Sequence, residues 1–349
     1  MLDKNNRHMT TDSRPSSAGI PVVRAHRRKG RRFAWPIVKV ESKGWTGVDA
    51  GPDGVLVGVS VRQRARAGAS PQVVKCARSA LGEPGAEALA ALAHRVSVSG
   101  FPWTLPLKRG DYRMLVVPEP PVQAAEMDQS LRWVLGPMVD FPIEDASVAW
   151  LRIPTAEFQP DLAKQVYAVA APKSAIDAQT ALFEKAKLKL RAIDVRETAQ
   201  RNIAALLEKK GEGLALLHVG PDGVTITFTF GGELYLDRFI EQPLDRIVSA
   251  DRAGQQKIFE RLTLQVLRSV ELLGRNFPFL RVDRFVLAPL PAPMGLFEHL
   301  AQNLPAPVEL LDLASVFDLS RTPELRAPEN QSRYFVALGA ALRGVRKEP

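Results

Sequence analysis

Short apolar runs separated by turn residues open each half of the chain. In the first half, residues 45–50 and 55–60 flank the turn sequence Gly-Pro-Asp-Gly, which predicts a β-hairpin because apolar runs around a tight turn pair with each other. In the second half, residues 214–219, 224–230 and 233–239 predict three further strands. A Gly-Gly pair between the last two is typical of a two-residue hairpin turn.

Elsewhere the spacing of apolar residues changes to that of helices, with repeats three or four positions apart. The segments that predict helices are 85–96, 122–135, 174–188, 196–207, about 20 residues after 239, 294–304 and 332–343. The strands predicted between them are 112–117, 147–153, 165–171, 190–195, 282–287 and 308–311, whereas 99–103 predicts a loop. Strands that alternate with helices predict an α/β fold.

The two hairpins also resemble each other. Residues 47–55 and 216–224 both consist of a strand, the turn Gly-Pro-Asp-Gly and a second strand. Because each copy opens one half of the chain, the repeat predicts two related α/β lobes. The alternative is that Gly-Pro-Asp-Gly is a favourable turn sequence that occurs twice by chance.

Composition and charge indicate a basic tail at the N-terminal end of the chain. The 349 residues are 46% hydrophobic and 24% charged, which is typical of about two globular domains. Residues 1–32 contain nine basic and two acidic side chains, so most of the net charge of +9 lies there. We expect a disordered basic tail over 1–34 that makes at most a weak contact with anionic membranes and binds no specific nucleic acid. The chain contains one cysteine, Cys76, and no run of about 18 apolar residues, so we expect a cytoplasmic protein.

Seven short motifs, in a fixed order, carry a resemblance to a known family. They lie at 47–51, 129–133, 139–144, 166–174, 188–194, 232–236 and 337–343, and the most specific is Leu-Arg-Trp followed by Phe-Pro-Ile-Glu. Through them the chain resembles the actin-like superfamily and, within it, the PilM-like MshI family of mannose-sensitive-haemagglutinin (MSHA) type IV pilus systems.

The resemblance implies an α/β, actin-like fold of duplicated, ribonuclease H-like lobes with an inserted subdomain of the FtsA/PilM type. It divides the chain into the tail, a first lobe over 35–208, a second lobe over 209–344 and a short tail over 345–349. The inserted subdomain occupies about 118–171 of the first lobe.

In actin-like ATPases the cleft between the lobes binds ATP and Mg²⁺, and here its motifs are altered. Asp49 and Gly51 match the first phosphate loop, but a proline follows Gly51 and removes an amide donor. Gly220 matches the second loop, where His218 replaces the expected carboxylate. The stretch 286–293 has prolines where the family has glycines. We therefore expect vestigial phosphate loops at Asp49, Gly51 and Gly220, no catalytic residue, no metal site and no cofactor, with ATP–Mg as the disfavoured alternative.

The function that the resemblance implies is a non-catalytic scaffold of pilus biogenesis, peripheral to the inner membrane. It would bind the N-terminal peptide of a PilN-like (MshJ-like) inner-membrane protein and link it to the pilus motor complex. Trp133 lies off the apolar stripe of its predicted helix, so we expect it to be exposed at a partner-binding groove. The alternatives are a nucleotide-binding actin-like ATPase and a binder of nucleic acid or membrane through the basic tail.

Overall fold

The computed structural model describes residues 43–344, apart from 52, 64–68, 81–84 and 156–162. The tails predicted over 1–34 and 345–349, and the membrane contact expected of the first, lie outside the described residues. The elements of the first half are β1 (Gly44–Ala50), β2 (Leu56–Arg62), β3 (Gln72–Arg78), α1 (Ala86–Val96), β4 (Trp103–Pro106), β5 (Arg113–Pro118), α2 (Met127–Leu135), β6 (Ala146–Ile153), β7 (Gln165–Pro172), α3 (Lys173–Lys185), β8 (Leu190–Asp194) and α4 (Arg196–Leu207). Those of the second half are β9 (Gly213–Val219), β10 (Val224–Phe230), β11 (Glu233–Ile240), α5 (Leu244–Ser249), α6 (Arg252–Asn276), β12 (Val282–Leu287), α7 (Leu296–Asn303), β13 (Val308–Leu310) and α8 (Pro328–Ala341).

Two five-stranded sheets in the described residues share one topology. Their strand orders are β3-β2-β1-β4-β8 and β11-β10-β9-β12-β13. In each sheet three antiparallel strands, joined by hairpins, are continued by two parallel strands. The hairpins that open the two halves are therefore equivalent, which confirms the prediction of two related lobes.

The central strands are buried along almost their whole length because helices cover both faces of each sheet. Helices α1 and α3 pack on the outer side of the first lobe, and α6 and α7 pack on that of the second. A third core lies between the two sheets and contains α4 and α8. No helix in the described residues is both long and apolar enough to span a bilayer.

The two central helices lie on the lobe opposite to the one that chain order suggests. Helix α4 follows the last strand of the first lobe but packs on β9, β10 and β11. Helix α8 ends the described chain but packs on β1, β2 and β4. Each of these helices therefore connects its own half of the chain to the other lobe, because its apolar face is covered by the other lobe's sheet.

These helices cross each other at close range. A Cβ added to Gly339 in α8 would lie 2.7 Å from the carbonyl carbon of Ala199 in α4. The Asn202 Nδ2 donates a hydrogen bond of 3.0 Å to the carbonyl oxygen of Gly339. On the other side of α8, a Cβ on Gly47 of β1 would meet the carbonyl oxygen of Ala337. Glycine at both positions thus lets α8 lie between a helix and a strand without a gap.

A three-stranded antiparallel sheet, β5-β7-β6, forms the inserted subdomain. Its first strand begins at Arg113, ahead of the expected boundary near 118, and α2 begins at Met127 rather than at 122. Leu131 and Leu135 are fully buried between α2 and one face of this sheet. The side chain of Trp133 points away from it and is 78% exposed.

The opposite face of the small sheet packs against both lobes. Because side chains alternate along a strand, Tyr167 and Ile153 lie on this face, and they join the core of the second lobe. Val169 and Ala171 lie there too and join the core of the first lobe. The subdomain is thereby held at the junction of the two lobes.

Candidate functional site: the cleft between the lobes

The β1–β2 turn faces the cleft, but its amide groups are already hydrogen-bonded within the turn. The N–H of Gly51 donates to the carbonyl oxygen of Val55 at 2.9 Å, and that of Gly54 donates to Gly51 at 3.2 Å. The N–H of Val55 donates to the Asp53 Oδ1 at 3.1 Å. A phosphate group needs free amide donors, and these three are used inside the turn.

The β9–β10 turn is closed in the same way. The N–H of Gly220 donates to the carbonyl oxygen of Gly223 at 2.8 Å, and the carbonyl oxygen of Gly220 accepts a bond from Leu244. The next residue, Pro221, has no N–H. The amide of Gly220 is therefore used within its own turn in this structure.

An arginine that the sequence analysis did not single out lies between the two turns. Arg196, the first residue of α4, is buried, and its Nη2 lies 3.0 Å from the Asp49 Oδ1 at the end of β1. Its Nε lies 4.0 Å from the Asp222 Oδ2 in the second turn. Burial raises the pKa of Asp49, and the charge of Arg196 offsets this only in part. The carboxylate expected to face a phosphate or metal thus has an internal partner.

His218 lies in β9 at the position of the missing carboxylate. Its ring stacks on that of Phe335 in α8, with 4.5 Å between the ring centres. Burial lowers the pKa of His218 to about 3, and the nearby charge of Arg196 acts in the same direction. The imidazole is therefore neutral at physiological pH and does not supply the charged oxygen ligand that Mg²⁺ prefers.

A second group of charges lies beside the first. The Nη2 of Arg109, in the loop after β4, is 2.5 Å from the Oε1 of buried Glu197 in α4. The hydroxyl of Tyr112 donates to the other oxygen of Glu197 at 2.6 Å. The guanidinium of Arg109 also stacks on Phe239 of β11, 4.0 Å from the ring centre. In the same junction, burial and then the charge of Glu197 raise the pKa of Asp237 to about 7.

Little space remains in the cleft beside these side chains. A cavity of about 20 Å³ lies against the second turn, which is room for about one water molecule. The loop over 286–293 packs into the second lobe, since the N–H of Ala288 bonds the carbonyl oxygen of Leu217 at 2.7 Å and Leu290 is buried. The part of the chain that the structure describes contains no cluster of three His, Cys, Asp or Glu residues arranged for a metal. The residues present do not fit a Mg–nucleoside triphosphate.

A second, mainly apolar cavity of about 30 Å³ lies between the small sheet and the first lobe. Its lining comes from the small sheet, mostly from its inner face, and from β8 and the start of α4: Met114, Ala149, Trp150, Leu151, Tyr167, Val169, Ile193, Asp194, Val195 and Thr198. We call this region the subdomain groove. Helix α2, which carries Trp133, packs on the opposite face of the same sheet. The structure therefore does not place Trp133 at this groove, and its role in partner binding stays a prediction.

Known proteins were compared with the chain by sequence and by structure. No protein-family model matches the sequence, and no curated protein matches it. A chain of a PilM–PilN type IV pilus biogenesis complex matches the structure with a TM-score of 0.66 and 20% sequence identity. The match covers 87% of this chain and 99% of that chain.

Two weaker matches have TM-scores below 0.5 and add nothing to this. The cytoplasmic domain of EpsL, an inner-membrane component of the type II secretion system of Vibrio cholerae, has a TM-score of 0.45 and 11% identity over 71% of this chain and 84% of that one. A ROK hexokinase from Thermus thermophilus has a TM-score of 0.38 and 15% identity over 86% of this chain and 97% of that one. At 20% identity the PilM match establishes the fold alone. With the duplicated sheets, it confirms that the chain has the actin-like fold and shares it with PilM over most of its length.

Proposed function

We propose that this protein is a non-catalytic scaffold of a type IV pilus-like machine. In this proposal it binds the cytoplasmic N-terminal peptide of a PilN-like inner-membrane protein and joins it to the pilus motor complex. The observation that carries the proposal is the subdomain groove, a mainly apolar cavity in a fold shared with the PilM of a PilM–PilN complex. The protein would act on the cytoplasmic side of the membrane, and the MSHA system with its MshJ-like partner is the specific form that we favour.

The cavity of the groove, about 30 Å³, has room for one small apolar group, so a bound peptide would place one anchor there and extend along the exposed side chains of the sheet. Met114 and Leu151 on its wall are partly exposed, whereas Tyr167 and Val169 form a buried floor. Val116, on the same face of the sheet, is 40% exposed at its outer strand β5. Binding energy in such sites comes from a few apolar side chains that fill pockets. A disordered tail that folds into the groove would bind with modest affinity because it loses conformational entropy.

Peptide binding by variants of the two faces tests the proposal. Fluorescence anisotropy with a labelled N-terminal peptide of a PilN-like protein should give saturable binding. We expect Leu151→Ala in the groove to weaken it by about tenfold, or about 1.4 kcal/mol. Leu264→Ala, a change of the same kind at an exposed position of α6, should leave it unchanged.

Trp133→Ala separates the two candidate docking faces. If Trp133→Ala weakens binding and Leu151→Ala does not, the peptide binds on α2, and the groove assignment is wrong. If the wild-type protein binds no peptide at high-micromolar concentration, docking of this kind is refuted altogether.

The non-catalytic part of the proposal is supported by the filled cleft. The amides of Gly51, Gly54 and Gly220 are bonded within their own turns, and an arginine lies between the turns, an arrangement that does not favour a triphosphate. We expect Mg–ATP to bind no tighter than the high-micromolar range, about −5 to −6 kcal/mol. Isothermal titration calorimetry that gave low-micromolar affinity, abolished in Asp49→Ala, would overturn this part of the proposal.

A further inference from the structure

Arg196 occupies a position that is unfavourable for a cation unless strong partners hold it. It is the first residue of α4, where the positive end of the helix dipole disfavours a positive charge. It is also buried, and an unpaired buried charge is costly. Asp49 of the first lobe, at 3.0 Å, offsets most of both effects, and Asp222 of the second lobe adds a weaker attraction at 4.0 Å.

Arg109 makes a second connection of the same kind. It lies in the loop after β4 of the first lobe, and its partners are Glu197 of α4 and the ring of Phe239 in β11. Helix α4 packs on the sheet of the second lobe. Its first residues, Arg196 and Glu197, nevertheless follow β8 of the first lobe almost directly. The contacts that run from the first lobe to the second are therefore Arg196–Asp222 and Arg109–Phe239.

We infer that Arg196 and Arg109 form an internal clamp that holds the two lobes closed without any ligand. A guanidinium between the two turns supplies the positive charge that the carboxylate of Asp49 faces. The stacking of Arg109 on Phe239 adds a contact of the cation–π type across the cleft. Opening the lobes separates Arg196 from Asp222 and Arg109 from Phe239, so the closed arrangement is built into the chain. This inference does not depend on peptide binding in the subdomain groove.

The distance between the lobes tests the clamp. Two exposed residues, Glu87 on α1 and Arg268 on α6, would be replaced by cysteine in a Cys76→Ser background and spin-labelled. Pulsed electron paramagnetic resonance on the full chain, without added ligand, should give one narrow distance distribution. We expect Arg196→Gln to shift it to longer distances and to broaden it.

Arg284→Gln is the matched control. The side chains of Arg284 and Arg196 are equally buried, each 9% exposed, but Arg284 pairs with Glu212 and Glu309 within the second lobe. Its loss should lower stability and leave the distance between the lobes unchanged. A folded Arg196→Gln protein with the wild-type distribution would refute the clamp. Should that variant fail to fold, Arg109→Ala decides, because it removes the second connection, and an unchanged distribution there would refute the clamp equally.

Discussion

Replacing Gly339 with alanine adds one methyl group where the two central helices cross. The new Cβ would lie 2.7 Å from the carbonyl carbon of Ala199, well inside the 3.5–4.0 Å at which carbon atoms pack. Helix α8 has little room to move away, because β1 lies on its other side and Gly47 is already in contact with the backbone of α8. The substitution therefore strains the contact that joins the lobes.

Two effects of opposite sign determine the result. Alanine is favoured over glycine in a helix by about 1 kcal/mol. Forcing a methyl group into a filled core costs about 1–3 kcal/mol, and we expect the upper end because the clash is with backbone. The net destabilisation of Gly339→Ala is then about 2 kcal/mol, and the melting temperature should fall by about 3 °C.

Differential scanning calorimetry of two glycine variants tests this prediction through the sign of the change in melting temperature. Gly274 lies in the last turn of α6, and a Cβ there would meet no atom within 4 Å. Gly274→Ala should therefore show the helix preference alone and raise the melting temperature. If Gly339→Ala raises it as well, the close crossing of α4 and α8 is wrong.

Three further predictions concern the subdomain and the buried titratable groups. Leu131→Ala should destabilise the protein by about 2–4 kcal/mol through a core cavity. Trp133→Ala, at a side chain that is 78% exposed, should change stability by no more than about 0.5 kcal/mol. If urea unfolding gave equal losses of stability for the two variants, the difference in burial would be contradicted. The folded-state pKa of His218 is lowered from 6.5 to about 3, so the unfolded chain binds more protons than the folded state between these pH values. As pH decreases from 6.5, the stability of the wild type relative to His218→Asn should therefore fall by up to about 1.4 kcal/mol per pH unit. The pKa of Asp237 is raised from 3.8 to about 7, so between these pH values the folded state keeps a proton that the unfolded chain has lost. The stability of the wild type relative to Asp237→Asn should therefore fall as pH rises from about 4 to about 7. If the stability of the wild type changed with pH in parallel with that of both variants, neither His218 nor Asp237 would titrate in this way.

Local patterns predicted most of the elements but missed a central strand. β4 has four residues, of which the last is Pro106, and it directly follows Pro102, so its sequence predicts a loop. It is nevertheless completely buried and pairs in parallel with β1 on one side and β8 on the other. Those partners are distant in sequence, so the local sequence of β4 does not indicate that it pairs as a strand. β3 was missed for a related reason, because the charged Lys75 and Arg78 of this edge strand interrupt its apolar run.

The turns of the cleft could be predicted from the sequence, but their partners could not. The repeat places Asp49 and Gly220 at the ends of equivalent strands. Arg196 is 147 residues from Asp49 along the chain, and nothing in its immediate neighbourhood indicates the pairing. The available signal was a basic residue at the predicted start of the helix over 196–207, a position that normally favours acidic side chains.

The balance of charge in the cleft explains why His218 and Arg196 belong together. His218 occupies the position in the second lobe that Asp49 occupies in the first. A divalent metal ion is held by several oxygen ligands, whereas one guanidinium is neutralised by one carboxylate. Asp49 is that carboxylate, and the side chain of Asp222 is 45% exposed, so water screens its charge. A second buried carboxylate in place of His218 would leave an uncompensated negative charge beside the pair. A neutral imidazole stacked on Phe335 leaves the pair balanced, so the neutral residue at position 218 and the arginine at position 196 follow from the same electrostatic requirement.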